Sequence, residues 1–184
     1  LMSLDRYIHM YLEMADYSEK PIWLYTSANY CRHFPPDFVE KLMVHPNIAG
    51  IKYSTSNIVQ IEKALSYSNK EFQVITAVVR QFLASLSMGV KATTTVEGCF
   101  YFEKINKIYQ AFNNNDFDNA KLYQNELNRF LEKVTTNASK DNFLKSAEGK
   151  YVLSKQGYCK KYMSGYFRSL NKHEQKQLDL VLDN

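Results

Sequence analysis

Glycine and proline are scarce in this 184-residue chain, at 6 and 4 residues. Their scarcity excludes a collagen-like repeat and a proline-rich disordered chain. Long apolar runs are also missing, and nothing approaches the roughly 18–20 residues that span a bilayer. Acid and base interrupt the opening Leu1-Met2-Ser3-Leu4-Asp5-Arg6, which therefore does not read as a signal peptide. Cysteine is limited to Cys31, Cys99 and Cys159. An odd number, far apart and without a CxxC pair, argues against a zinc site and suits a reducing compartment. The expectation is a cytoplasmic protein with no metal site and no membrane partner. Asn137-Ala138-Ser139 matches a glycosylation sequon, read as chance in that setting.

Charge of one sign is not concentrated either. Lys and Arg number 23 against 19 Asp and Glu, a net +4, and the densest basic cluster is only Lys160-Lys161. A nucleic-acid binder would be better supported by a basic stripe, so the charges read as a mixed, solvated surface. Apolar bulk, by contrast, is plentiful. Hydrophobic residues make up 45% and aromatics 14%, including 14 Tyr and 11 Phe. That is enough to build a core, and the length suits one globular domain.

Two kinds of segment alternate along the first half. Short β-rich runs occur at Ile22–Thr26, Ala49–Tyr53, Phe72–Thr76 and Ala92–Val96. Between them lie helical spacings over residues 4–17, 36–44, 57–67 and 80–88. Pro36 fits a first helical turn, Ser56 or Asn57 an N-cap, and Gly89 a helix end. Strands alternating with helices imply parallel pairing through right-handed crossovers. After Val96 the strands stop, and residues 100–113, 116–134, 141–156 and 172–182 read as amphipathic helices. Asn113-Asn114-Asn115-Asp116 reads as a turn whose Asp116 caps the next helix. The fold expected is α/β with about four parallel strands in residues 1–98, followed by a helical extension in 99–184. Four parallel strands cannot close a barrel, which takes eight, and open strand edges invite another chain. With a start inside an amphipathic helix, this reads as the back half of something larger.

Lys52 is the most informative residue. A parallel strand is normally buried on both faces and apolar throughout, so a lysine there must snorkel, pair or sit in a site. A lysine shielded from water loses the advantage of its ammonium form, and the neutral amine attacks ketones to give a Schiff base. The imine then acts as an electron sink for making or breaking an adjacent carbon–carbon bond. A lysine at a strand end that simply reaches water fits the same spacing. Tyr25 ends the preceding strand, where a phenol can relay a proton. It fits equally as an ordinary β-forming aromatic.

The strings Pro21-Ile22-Trp23-Leu24-Tyr25, Pro36-Asp37-Phe38-Val39-Glu40-Lys41-Leu42 and His45-Pro46-Asn47-Ile48-Ala49-Gly50-Ile51-Lys52 resemble the dihydrodipicolinate synthase / N-acetylneuraminate lyase family. Met88-Gly89-Val90-Lys91-Ala92, Asn115-Asp116-Phe117-Asp118-Asn119-Ala120 and Lys150–Tyr158 extend the likeness in order over nearly the whole chain. The resemblance implies the C-terminal half of a (β/α)8 barrel. Lys52 would then be the Schiff-base lysine of strand six and Tyr25 the proton-relay tyrosine ending strand five. Pyruvate or another 2-keto acid would be the small-molecule substrate, and no cofactor would be needed.

Several departures accompany the likeness. The family's threonine pair belongs to the first four strands, which have no counterpart here. In Thr26-Ser27-Ala28-Asn29-Tyr30-Cys31-Arg32, Asn29 or Tyr30 stands where synthases carry an arginine, and Arg32 is displaced. Ala77-Val78-Val79 replaces a glycine followed by an acidic residue, removing polar contacts to substrate hydroxyls. Thr94 keeps a hydroxyl at the strand-eight end. Ala77 and Thr94 are thus the candidate substrate-contacting positions, Lys52 and Tyr25 the candidate catalytic ones. The leading expectation is a class I pyruvate-dependent aldolase or lyase. The alternative is an inactive fragment that acts through association, as a homo-oligomer or with a complementing chain.

Overall fold

The Ser3 hydroxyl accepts the Arg6 N–H at 3.4 Å and so starts α1 (Leu4–Tyr17) in the computed structural model, which describes residues 3–27, 31 and 33–182. The chain divides into two units, Leu1–Thr94 and Thr95–Asn184. In the first, β1 (Ile22–Ser27), β2 (Ile48–Ser54) and β3 (Gln73–Thr76) form a parallel sheet in the order β1-β2-β3. The crossovers are α2 (Pro36–Leu42), with Pro36 in its first turn, and α3 (Ile58–Leu65). Asn57 caps α3, its Oδ1 accepting the Val59 and Gln60 N–H groups at 3.1 and 3.3 Å. A 3-10 turn (Val79–Gln81) leads into α4 (Phe82–Ser87), and Gly89 follows with a left-handed φ of 102°.

Alternation along the strands decides which face is buried. Leu24, Ile51, Tyr53 and Val74 point into a core with Phe34, Phe38, Val39, Leu42, Ile61 and Ala64. Phe34 stacks on Phe38 at 4.2 Å. The Tyr53 phenol donates to the Phe34 carbonyl at 2.6 Å, and burial pushes its pKa up to about 12, so it stays a donor. The helices thus seal one face of the sheet. The opposite face presents Trp23, Tyr25 and Gln73 to solvent. Parallel sheets are usually covered on both sides, and among the described residues this face leaves Trp23 and Tyr25 45% and 39% exposed.

The turn before β2 is tied down by its own side chains. Asn47 Nδ2 donates to the Ala15 and Ser18 carbonyls at 2.9 and 2.7 Å, clasping the end of α1. His45 Nδ1 accepts the Asn47 N–H at 3.1 Å, while its Nε2 meets Asp16 at 3.0 Å. The His-Pro-Asn string therefore sets where β2 begins.

The fourth expected strand, Ala92–Val96, is reduced to a single bridge between Thr76 and Thr93. The Thr76 carbonyl accepts both the Thr94 N–H at 2.9 Å and the Thr93 hydroxyl at 3.1 Å. The chain then turns away as the Thr95 hydroxyl bonds the Glu97 carboxylate. Threonine's β propensity made this run look like a strand. Its hydroxyls instead take backbone and carboxylate acceptors.

The second unit is helical. α5 (Gly98–Asn113) is kinked at Tyr101, where φ is −132° and ψ is 30°. Asn115 turns with φ 58°, and Asp116 caps α6 (Phe117–Lys133) by accepting the Asn119 N–H at 3.2 Å. The helix expected over 141–156 begins only at Ser146, as α8 (Ser146–Lys155); before it stand a short α7 (Ala138–Asp141) and a turn in which Leu144 adopts φ 54°. α9 (Lys172–Leu182) completes the unit. Among the described residues no helix is long and apolar enough to cross a membrane.

Two buried carboxylates fasten these helices. Glu148 Oε1 accepts the Thr136 N–H and the hydroxyls of Thr136 and Ser139 at 3.1, 2.7 and 2.6 Å. Glu174 receives Arg168 in a bidentate pair at 2.7 and 2.8 Å, and accepts the Asn171 N–H at 2.9 Å. Arg168 also reaches Asp141 at 2.6 Å, joining α7 to α9. The Arg168 bonds hold the Glu174 carboxyl down, from 4.5 to about 2. A depressed folded pKa contributes stability above the unfolded value, which is lost as the carboxylate protonates. The Tm should therefore fall as pH drops from about 4.5 toward 2. Glu174→Gln should flatten that slope in thermal scans by circular dichroism, and an unchanged slope would contradict the pairing.

Candidate functional site

Register decides which side chains meet on the open face. Ile22 pairs with Ile48 but Trp23 pairs with Gly50, so β2 carries one extra residue, Ala49, at an irregularity. Without it, Tyr25 would oppose Ile51. With it, Tyr25 opposes Lys52, and Lys52 opposes Ile75 of β3. Such insertions re-aim side chains beside them. Two rows result: Trp23, Gly50 and Gln73 below, and Tyr25, Lys52 and Ile75 above, toward the strands' C-terminal ends.

Lys52 Nζ lies over the Tyr25 ring, 4.5 Å from its centroid. A cation at this distance is attracted by the ring's negative face. Lys52 is half-buried and Tyr25 is 39% exposed. Lys52 is therefore neither sealed from water nor turned away from Tyr25.

The other candidates are placed by β3. Ala77 follows Thr76 directly and is half-buried, as is Val78, while Val79 is buried. Gln81 Nε2 donates to the Thr55 carbonyl at 3.1 Å, which anchors this segment beside the end of β2. Thr94 is exposed, and its N–H is held by the Thr76 carbonyl. Beyond Tyr25, Cys31 Sγ approaches the Tyr25 and Ser27 carbonyls at 4.0 and 3.8 Å. Ala28, Asn29, Tyr30 and Arg32 lie outside the described residues. Among the described residues no group of three His, Cys, Asp or Glu side chains gathers to hold a metal.

Sequence reading missed the floor of the site. A Cβ at Gly50 would stand 2.5 Å from the Gln73 carbonyl oxygen and 2.9 Å from the Trp23 ring. Glycine is required there by close approach. The signal was present in the period-two spacing of Trp23 and Tyr25, but it needed the partner strand to become readable. Gly50→Ala should force β2 from β3 or displace Trp23 and destabilise the first unit by about 1–3 kcal/mol. Chemical denaturation measures this directly, and a loss near zero would show that the lower row is not closely packed.

Comparison with known proteins follows the same lines. A family model described as the dihydrodipicolinate synthetase family matches residues 3–182. The 4-hydroxy-tetrahydrodipicolinate synthase of Methanospirillum hungatei is 29% identical over 91 residues, 49% of this chain and 31% of that protein. The Listeria monocytogenes enzyme of the same name is 24% identical over 152 residues, 82% of this chain and 50% of that protein. The chain thus spans half or less of these curated relatives. Among solved structures, a dihydrodipicolinate synthase from Bacteroides thetaiotaomicron superposes with a TM-score of 0.89 at 18% identity, covering 100% of this chain and 62% of the other. An N-acetylneuraminate lyase from Mycoplasma synoviae gives 0.79 at 16%, covering 100% and 60%. At these identities the structures speak for the fold, an α/β section of a (β/α) barrel.

Proposed function

Because this chain belongs to the dihydrodipicolinate synthetase family, we propose that Lys52 condenses with the ketone of pyruvate or a related 2-keto acid. The observation that carries this reading is the register pair Tyr25–Lys52, which holds the amine 4.5 Å from the phenol ring centroid near the C-terminal ends of β1 and β2. Lys52 attacks the ketone carbon, and loss of water leaves an imine. The protonated imine draws electrons from the neighbouring carbon, so a proton or a carbon fragment can leave there. Tyr25 is suited to carry protons to and from the reacting oxygen. The chemistry calls for no metal or organic cofactor.

Borohydride reduction in the presence of pyruvate, followed by peptide mass analysis, tests this. A stable adduct is expected on Lys52 and none in Lys52→Ala. Tyr25→Phe should keep the adduct but lower turnover about a hundredfold or more. Failure to label Lys52 under conditions that label an intact relative would refute the reading.

The open sheet face favours a second reading, association without catalysis. Trp23 and Tyr25 are large rings left 45% and 39% exposed on a parallel sheet, a face that ordinarily packs against another layer. Assembly with itself or with a complementing chain would cover them. Sedimentation velocity over a concentration series should then show association that weakens in Trp23→Ser. A well-behaved monomer that unfolds cooperatively at every concentration would count against it.

A further inference from the structure

Tyr25 and Lys52 are each followed on their strand by a residue that points the other way. These successors, Thr26 and Tyr53, oppose each other in the same register and are fully buried on the sealed face. Both close on one residue. The Thr26 hydroxyl accepts the Phe34 N–H at 2.8 Å, and the Tyr53 hydroxyl donates to the Phe34 carbonyl at 2.6 Å. The Phe34 ring is itself anchored, stacked on Phe38 of α2 and met edge-on by Tyr11 of α1 at 5.8 Å. Phe34 is thus a fixed point, gripped by the side chains directly beyond the phenol and the amine.

The two strands do not need this grip equally. β2 is bonded to β1 on one flank and to β3 on the other, so Lys52 stands in a ladder held from both sides. Among the described residues β1 has β2 as its one strand partner, and the Thr26–Phe34 bond ties its C-terminal end to the segment entering α2. Backbone held from one side opens locally at lower cost. Proton transfer is also the step least tolerant of displacement, since the carrier must stay within hydrogen-bond reach of the reacting atom.

We propose that Thr26 and Tyr53 are positioning residues, which by holding Phe34 between them fix the end of β1 and with it the Tyr25 hydroxyl for proton transfer at the imine on Lys52. The inference rests on the Schiff-base reading above. In the step concerned, the protonated imine of pyruvate and Lys52 loses a methyl proton. The Tyr25 oxygen takes that proton up as its own passes to solvent. The C–H electron pair becomes the C=C bond of the enamine, and the nitrogen regains its lone pair. Return of a solvent deuteron to the same carbon reverses the step, so repeated passage exchanges the methyl protons without a second substrate.

The full chain, incubated with pyruvate in deuterium oxide, is followed by proton NMR of the methyl group and, in parallel, by borohydride trapping at Lys52. All rates are taken per folded chain, measured by urea unfolding. Tyr53→Phe and Thr26→Val should each slow exchange about tenfold or more with trapping unchanged. Thr26→Ser, which keeps the hydroxyl, should exchange like the unaltered chain. In a Tyr25→Phe background, Tyr53→Phe should slow exchange no further, because the group it positions is gone. Exchange at the unaltered rate in Tyr53→Phe and Thr26→Val overturns the proposal, as does a further loss on the Tyr25→Phe background. Exchange and trapping that fall together, or Thr26→Ser as slow as Thr26→Val, overturn it too. Trapping without exchange in the unaltered chain likewise overturns it and leaves the imine reading standing. Absence of the pyruvate adduct fails the imine reading first and the positioning role with it.

Discussion

A parallel strand pair leaves its side chains no choice of neighbour once register is set. A slip of one residue sends every side chain to the opposite face. Here the extra residue Ala49 moves the partner of Tyr25 from Ile51 to Lys52. Two features hold that register. Asn47 clasps the Ala15 and Ser18 carbonyls and fixes the start of β2. Gly50, lacking a side chain, lets the Gln73 carbonyl and the Trp23 ring come close. The amine–phenol pair is therefore the outcome of backbone geometry two and five residues upstream of Lys52, more than of any contact the lysine makes for itself.

Register also puts the Tyr25–Lys52 pair on the more exposed face of the sheet. Helices α1, α2 and α3 seal the face carrying Leu24, Ile51 and Tyr53, while the face carrying Trp23, Tyr25 and Lys52 has no covering layer among the described residues. Imine formation from a lysine works best where water is excluded. Packing on the helix side and chemistry on the open side are thus separate problems in this sheet. The first is solved within these residues, and the second asks for a cover over Trp23 and Tyr25. That requirement links the catalytic and associative readings, since whatever dries Lys52 must also bury those two rings.

Much of this was legible in the sequence because it is local. The i, i+3, i+4 spacing of Leu4, Tyr7, Ile8 and Tyr11 gave α1, and Pro36, Asn57, Gly89 and Asp116 marked ends and starts through turn and cap chemistry that needs no tertiary context. Lys52 stood out as a charge in an apolar strand, and Tyr25 as the end of the one before. What could not be read depends on two segments at once. The irregularity at Ala49 exists only between β1 and β2. The threonine run 92–96 carries strand propensity, yet Thr93 and Thr94 spend their donors on one carbonyl of β3. The left-handed Leu144, which delays the expected helix to Ser146, is not a glycine or asparagine that would announce it.

The sheet also divides its labour by strand. The two candidate catalytic side chains, Lys52 and Tyr25, both stand on the β1–β2 pair, whose register is set at Ala49, Gly50 and Asn47. The β2–β3 side of the same face carries Gln73 and Ile75, and the chain leaves it through Ala77 and Val78 toward Gln81, whose side chain is anchored to the Thr55 carbonyl. Changes on β3 can alter polarity there without moving Lys52 relative to Tyr25, because neither residue's register depends on β3 side chains pointing to the open face.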